Sequence, residues 1–208
     1  MTQFTRWLLV TAGGMVVVVL LSGCQSTEIS LHYSPQKEVA RLIGAERVPV
    51  KISVTDARLV KSVGTADESN QFGPNIWHIY ATNDVVAVFK NAIADELSRR
   101  GFNVSGNGVS VLVGLNTIDG HSIGRAKVAI SVQIVQLDGT ISYSQLITGK
   151  GRSNPLAYYD DSKVIKVALD RALQNCINQL FADTAFTDAL LKTPAGNENA
   201  GKQAASYL

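Results

Sequence analysis

The sequence is poor in the residues that build metal and redox chemistry, with two cysteines and three histidines in 208 positions. Cys24 and Cys176 are too few for a disulfide framework or a cysteine-built zinc cluster. His32, His78 and His121 stand at no ligand spacing, so no metal or other cofactor is expected. An excess of either charge is also missing: 19 Lys and Arg face 17 Asp and Glu, a formal charge of +2. That balance excludes a surface built chiefly to hold polyanionic nucleic acid. The apolar run from Trp7 to Leu21 is broken by Gly13-Gly14 and is short of the roughly 20 residues that a membrane-spanning helix needs.

What is present at the start is a secretory pattern: Arg6, the apolar run, then Ser22-Gly23, a cation, a hydrophobic core and small residues in order. Leu21-Ser22-Gly23-Cys24 resembles the lipobox of bacterial lipoproteins, in which the cysteine becomes the lipidated first residue of the mature chain. An ordinary cleaved signal with a chance cysteine is the alternative. Residues 1–23 then form the signal peptide and Cys24 is the lipid attachment site, with several acyl chains on one residue giving a stable anchor. Gln25 follows the cysteine where an Asp would signal inner-membrane retention. The resemblance therefore implies the inner leaflet of an outer membrane, facing the periplasm. Loss of Arg6 leaves 18 basic against 17 acidic residues, too even for long-range steering.

In the mature chain, residues 24–46 read as a lipidated N-terminus with a linker and an edge strand, because Ile29, Leu31 and Tyr33 alternate with Ser30 and His32. Val48, Val50, Ile52 and Val54 keep the same period of two, as in a half-buried strand. Residues 62–76, rich in Gly, Ser, Asn and Asp, read as a long loop before a short strand, Ile76 to Tyr80. Thr82-Asn83-Asp84 supplies capping side chains for a helix over 84–100, with Val85, Phe89, Ile93 and Leu97 on one face and Gly101 beyond its end. Strands 109–115, 127–137 and 141–147 follow, the last two joined at Asp138-Gly139, so three successive antiparallel strands are expected. Asp160-Asp161-Ser162 starts a second long helix over about 162–182, carrying Ile165, Leu169, Leu173, Cys176 and Leu180. Thr184 to Leu191 adds a helical turn, and residues 192–208 read as a disordered tail. Residues 47–191 are expected to be a single α+β domain, a largely antiparallel sheet with two long helices packed on one face.

Three catalytic look-alikes fail on context. Gly120-His121-Ser122-Ile123-Gly124 matches G-x-S-x-G, but a strand follows it and no histidine lies later in the chain, whereas a nucleophile elbow opens a helix and is followed by its acid and base. Gly149-Lys150-Gly151-Arg152-Ser153 lacks the first glycine and the hydroxyl of a phosphate loop and reads as a strand end. Asp160-Asp161 reads as a cap and Cys176 as a buried, inert thiol. What remains are four aromatics beside loops, Trp77, Tyr80, Tyr158 and Tyr159. These are candidate interface anchors, with core packing as the alternative.

Taken together, Leu21 to Cys24, the helix closing in Arg100-Gly101-Phe102, the Gly106-Asn107-Gly108 turn with its strand, and Asn154 through the second helix resemble the YajG-type lipoproteins of Gram-negative bacteria. The resemblance implies a lipid-anchored periplasmic domain with no assigned enzymatic activity, and only Cys24 transfers as a site residue. The expected function is a non-enzymatic envelope lipoprotein that binds another envelope component, protein or cell-wall glycan. Alternatives are a subunit of a larger secretion or appendage assembly, or an envelope hydrolase or small-ligand carrier. The sequence does not set the oligomeric state.

Overall fold

The computed structural model describes residues 27–35, 38–70, 73–154, 156 and 160–192. Cys24 with the signal segment, Tyr158, Tyr159 and the tail from Thr193 lie outside these. The chain runs through β1 (Thr27–Ile29), a 3-10 turn at Ala45–Arg47, β2 (Pro49–Asp56), β3 (Gly64–Asn70), β4 (Gly73–Ala81) and α1 (Val85–Arg99). It continues through β5 (Asn103–Val104), β6 (Val109–His121), β7 (Arg125–Val135), β8 (Ile141–Arg152), α2 (Asp161–Ala182) and α3 (Thr184–Leu191).

The α+β expectation holds. All eight strands join one sheet whose longest ladders, β6 with β7 and β7 with β8, are antiparallel. The parallel pairings of β2 with β6, β2 with β5, β1 with β4 and β3 with β6 are shorter. β6 is the spine: β7 lies along one edge, while the other edge takes β2 against Val109–Leu115 and then β3 against Gly120 and His121. The sheet therefore splits where β2 leaves and β3 arrives.

Period-two burial sets the faces. Val50, Ile52, Val111, Val113, Ile130, Val132 and Ile134 are buried on the helix-covered face, while Lys51, Ser53 and Gln133 point to the other side, which no helix among the described residues covers. On the covered face, α1 buries Phe89, Ile93 and Leu97, and α2 buries Ile165, Leu169, Leu173 and Leu180, each fully buried side chain contributing about 2 kcal/mol. Both helices begin at the expected caps, the Asp84 carboxylate accepting from Val86 N at 2.9 Å and that of Asp160 from Ser162 N at 2.9 Å. Arg100, at the end of α1, lies 4.3 Å over the Phe181 ring of α2, a cation–π contact that joins the helices side by side.

Three expectations are corrected. The segment 62–76 is not a loop: residues 64–70 pair antiparallel with 73–79 as a hairpin. Its polar strand residues concealed the period of a buried face. β6 does not stop at Leu115 but runs to His121, and β8 runs past Ile147 to Arg152. The edge strand expected over 29–33 pairs only as far as Ile29, although Leu31 stays buried. There the Asn83 side chain takes over the pairing, accepting from Leu31 N at 3.1 Å and donating to Leu31 O at 2.8 Å.

Candidate functional site: the open face of the sheet

The uncovered face carries the two clefts described below, and the first forms where the sheet splits. β2 ends with Ala57 N donating to Leu115 O at 3.0 Å, next to the irregularity between Leu115 and Thr117 in β6. The chain then makes an excursion over 57–63 before entering β3. Arg58 holds both ends of that excursion. Its guanidinium forks the Asp56 carboxylate, Nε to Oδ1 at 2.9 Å and Nη2 to Oδ2 at 3.0 Å, and Nη1 reaches Ser62 O at 3.4 Å. Lys61 Nζ adds a contact to Asp56 Oδ2 at 3.0 Å. Hydrogen bonding from Arg58 holds the Asp56 carboxyl well below the usual carboxylate range against the opposing effect of burial, with Lys61 assisting.

The consequence is a braced loop with apolar tips. Arg58 is buried, whereas Leu59 is 100% exposed and Val60 63% exposed. A cleft of about 350 Å³ opens beneath them, lined by Arg58, Leu59, Thr65, His78, Asn116 and Asp119 among others. A smaller cleft of about 190 Å³ lies further along the same face, between Ser53, Thr55, Leu112, Ser131 and Gln133. None of Asp56, Arg58, Leu59 and Val60 was singled out by the sequence analysis.

Of the aromatics singled out from the sequence, Trp77 and Tyr80 are described, and they do not share a face. Trp77 is half-buried and packs against the core, its enclosed indole N–H finding no acceptor among the described residues. Tyr80, 42% exposed, lies on the opposite face of β4. Tyr158 and Tyr159 lie outside the described residues, as does Cys24. Ser122 sits in the turn from β6 to the antiparallel β7 rather than at a strand-to-helix elbow. His121 Nε2 lies 3.1 Å from Asp119 Oδ2 and its Nδ1 3.4 Å from Thr65 Oγ1. The first contact is between next-but-one neighbours on one strand face, a geometry that any strand supplies. Cys176 is fully buried, and burial pushes its thiol up to about 12.

A second polar cluster fixes where the chain enters the domain. Glu96, buried within α1, accepts from the Tyr33 hydroxyl at 2.6 Å and is bonded by the Arg100 guanidinium. Burial raises the Glu96 carboxyl, but Tyr33 and Arg100 outweigh it and the net direction is downward. His32 N donates to Asp170 Oδ1 at 2.8 Å. The segment 31–33 is thereby tied to α1 through Glu96, to α2 through Asp170 and to the end of β4 through Asn83.

A sheet with one face roofed by two helices and the other left open among the described residues defines a class of small α+β domain, and it has a solved counterpart. A protein of Xanthomonas campestris from the DUF330 family shares the fold at a TM-score of 0.53 and 12% identity, over 86% of this chain and 99% of that one. A putative lipoprotein from Caulobacter crescentus aligns at a TM-score of 0.35 and 13% identity, over 49% of this chain and 80% of that one. No curated protein matches the sequence. A family described as uncharacterized lipoprotein matches residues 35–191. The chain belongs to this family, the YajG-type lipoproteins, and is an envelope lipoprotein. Among the described residues no helix is long and apolar enough to cross a membrane.

Proposed function

We propose that the protein is acylated at Cys24, sits on the periplasmic face of the outer membrane, and acts without catalysis by binding another envelope protein through the open face of its sheet. The observation that carries the reading is the braced loop: a largely buried Arg58–Asp56 pair holds Leu59 fully and Val60 mostly exposed to water. Exposing apolar surface is unfavourable unless a partner covers it. A rigid mount also lowers the ordering cost of binding. Leu112 and Leu146, both exposed, extend the apolar surface across the same face, while Ser53, Thr55 and Gln133 supply hydrogen-bonding groups around it. This composition, an apolar centre with a polar surround, is that of a protein-binding patch.

The test places a photocrosslinking side chain at Leu59 in intact cells, with Lys90 on the exposed side of α1 as the comparison site. A discrete adduct from Leu59 and none from Lys90 is expected. Adducts only to cell-wall fragments would replace the protein partner by a glycan, and no adduct at Leu59 would remove the reading. Fractionation of Cys24→Ala tests the anchor separately, since the variant is expected to leave the membrane fraction.

A further inference from the structure

Thr27, Ile79, Gly64, Gly120, Ala126 and Gly151 are partners in turn across the sheet and make one continuous row. Beyond this row, three connections emerge side by side at one end of the domain. Ser122 N donates to Thr65 O at 3.3 Å, tying the β6–β7 turn to the β3–β4 hairpin. Ser153 N donates to Gly124 O at 2.8 Å, tying the segment after β8 to the same turn. Each of the three carries an exposed apolar side chain: Ile76 at 61%, Ile123 at 63% and Leu156 at 95%.

The open face beside Ile123 and Leu156 is cationic, while exposed Asp67 stands opposite Ile76 in the hairpin. Arg125 lies opposite Arg152, and Lys127 opposite Lys150. All four are exposed, and none forms an ion pair among the described residues. The acid nearest in register, Asp119 opposite Lys127, is already engaged by His121 at 3.1 Å. Like charges placed directly across a strand pair destabilise the sheet, so two consecutive cation pairs on one face are relieved by an anionic surface from outside.

The chain itself says which surface. Cys24 precedes Thr27 by three residues, a reach of at most about 10 Å, and β1 enters the sheet in the row described above. The far end of the domain, at Val109 and the Asp138-Gly139 turn, lies a full β6 length away, about 40 Å. The entry point cannot swing, because Leu31, His32 and Tyr33 are each bonded to the domain.

We infer that this end of the domain is a membrane-contact surface, with Ile76, Ile123 and Leu156 reaching the headgroup region and the four cations facing anionic phospholipid. The inference rests on Cys24 carrying the lipid. Apolar side chains at an interface add area-dependent affinity, and each cation within a Debye length of an anionic leaflet adds attraction. The lipid tethers the domain, and this surface orients it, presenting the Leu59 loop sideways along the membrane rather than into it.

The test uses the lipidated protein with a fluorescent thiol label at Ile123→Cys, Cys176 being buried and out of reach. It is reconstituted into phosphatidylethanolamine and phosphatidylglycerol vesicles containing brominated lipid. Several-fold stronger quenching than at Leu137→Cys, exposed at the far end, is expected, and Arg125→Ser with Arg152→Ser should abolish most of the difference. Equal quenching at the two positions overturns the inference. Intact mass reports the acyl chains independently. If they are absent, the reading of Cys24 fails, and flotation of the same unlipidated chain with these vesicles decides the surface: binding lost in the double variant supports it, no binding overturns it. Retention on isolated cell wall through the four cations, without quenching in vesicles, assigns the patch to a wall polyanion and also overturns it.

Discussion

A Cβ on Gly151 would stand inside the carbonyl oxygen of Ala168, and one on Gly149 inside that of Ala172. Helix α2 therefore rests directly on the backbone of β8, and Gly149 and Gly151, which resemble part of a phosphate loop in the sequence, are the seat for a helix. Gly120 belongs to the same seat, since a Cβ there would come within 2.8 Å of Ile165 Cγ2. Close approach of two backbones requires glycine for lack of side-chain volume.

Gly151→Ala is accordingly expected to destabilise the domain by about 2–3 kcal/mol, as overpacking does where backbone must move. Gly106→Ala is the comparison, with nothing within 4 Å of its Cβ and an ordinary φ. A urea titration checks both. Equal midpoints for the two variants would show that α2 can lift off β8 at no cost.

Glu96 governs the acid side of the stability curve. Its carboxyl is lower in the folded chain than in the unfolded one, so its contribution is present above the unfolded carboxylate range and is lost as pH falls through the folded value. Glu96→Gln is expected to cost about 2 kcal/mol near neutrality by depriving the half-buried Arg100 of its ionic partner, and to flatten the acid limb. Tyr33 and Tyr143 act at the other extreme. Burial first, and then their carboxylate partners Glu96 and Asp183, raise both phenols. Stability is thus retained below pH 10 and lost as the unfolded phenols ionise above it. Thermal melts from pH 3 to pH 11, with Tyr33→Phe beside the wild type, check both limbs.

Cys176 is enclosed by α2 and β8 and is 0% exposed. A thiol reagent should therefore modify it only when the domain opens, at a rate set by unfolding rather than by the thiolate fraction. Modification under native conditions is expected to run no faster than global unfolding, and Gly151→Ala should accelerate it. Rapid labelling of the native protein would contradict the burial.

The elements legible in the sequence are those with one buried face. Val48 to Val54, Val109 to Leu115 and Val128 to Ile134 alternate cleanly, and the stripes of α1 and α2 repeat at helical spacing. β3 and the start of β4 escaped because Asp67, Asn70 and Asn75 are types depleted in strands, leaving no alternation to read. Leu59 and Val60 escaped because an apolar pair in a sequence carries no mark of exposure. Arg58 and Asp56, two residues apart, look like any strand end. The cation pairs had a signal: Lys127 and Lys150 are equally distant from the centre of the Asp138-Gly139 turn, and a hairpin places such residues opposite each other. Register, more than composition, located that patch.

The same Arg58–Asp56 pair separates stability from recognition at the open face. Arg58→Met removes a guanidinium whose side chain is 5% exposed and leaves Asp56, 20% exposed, with Lys61 alone. The expected loss is about 3 kcal/mol, the usual consequence of breaking a buried pair from one side. Because Asp56 is held low in the folded state, that contribution exists above the ordinary aspartate range and disappears as pH falls, so wild type and Arg58→Met should converge in acid. Arg58→Lys is expected to restore little, since an ammonium cannot fork a carboxylate. Leu59→Ala makes the opposite comparison: the residue is fully exposed, and stability should change by less than about 0.5 kcal/mol. If the loop is the recognition element, Leu59→Ala abolishes crosslinking from Val60 with the fold intact, whereas Arg58→Met weakens it through loss of the mount. Undiminished crosslinking in both variants would move the partner off the 57–63 loop and leave the second cleft, around Leu112 and Gln133, as the place to look.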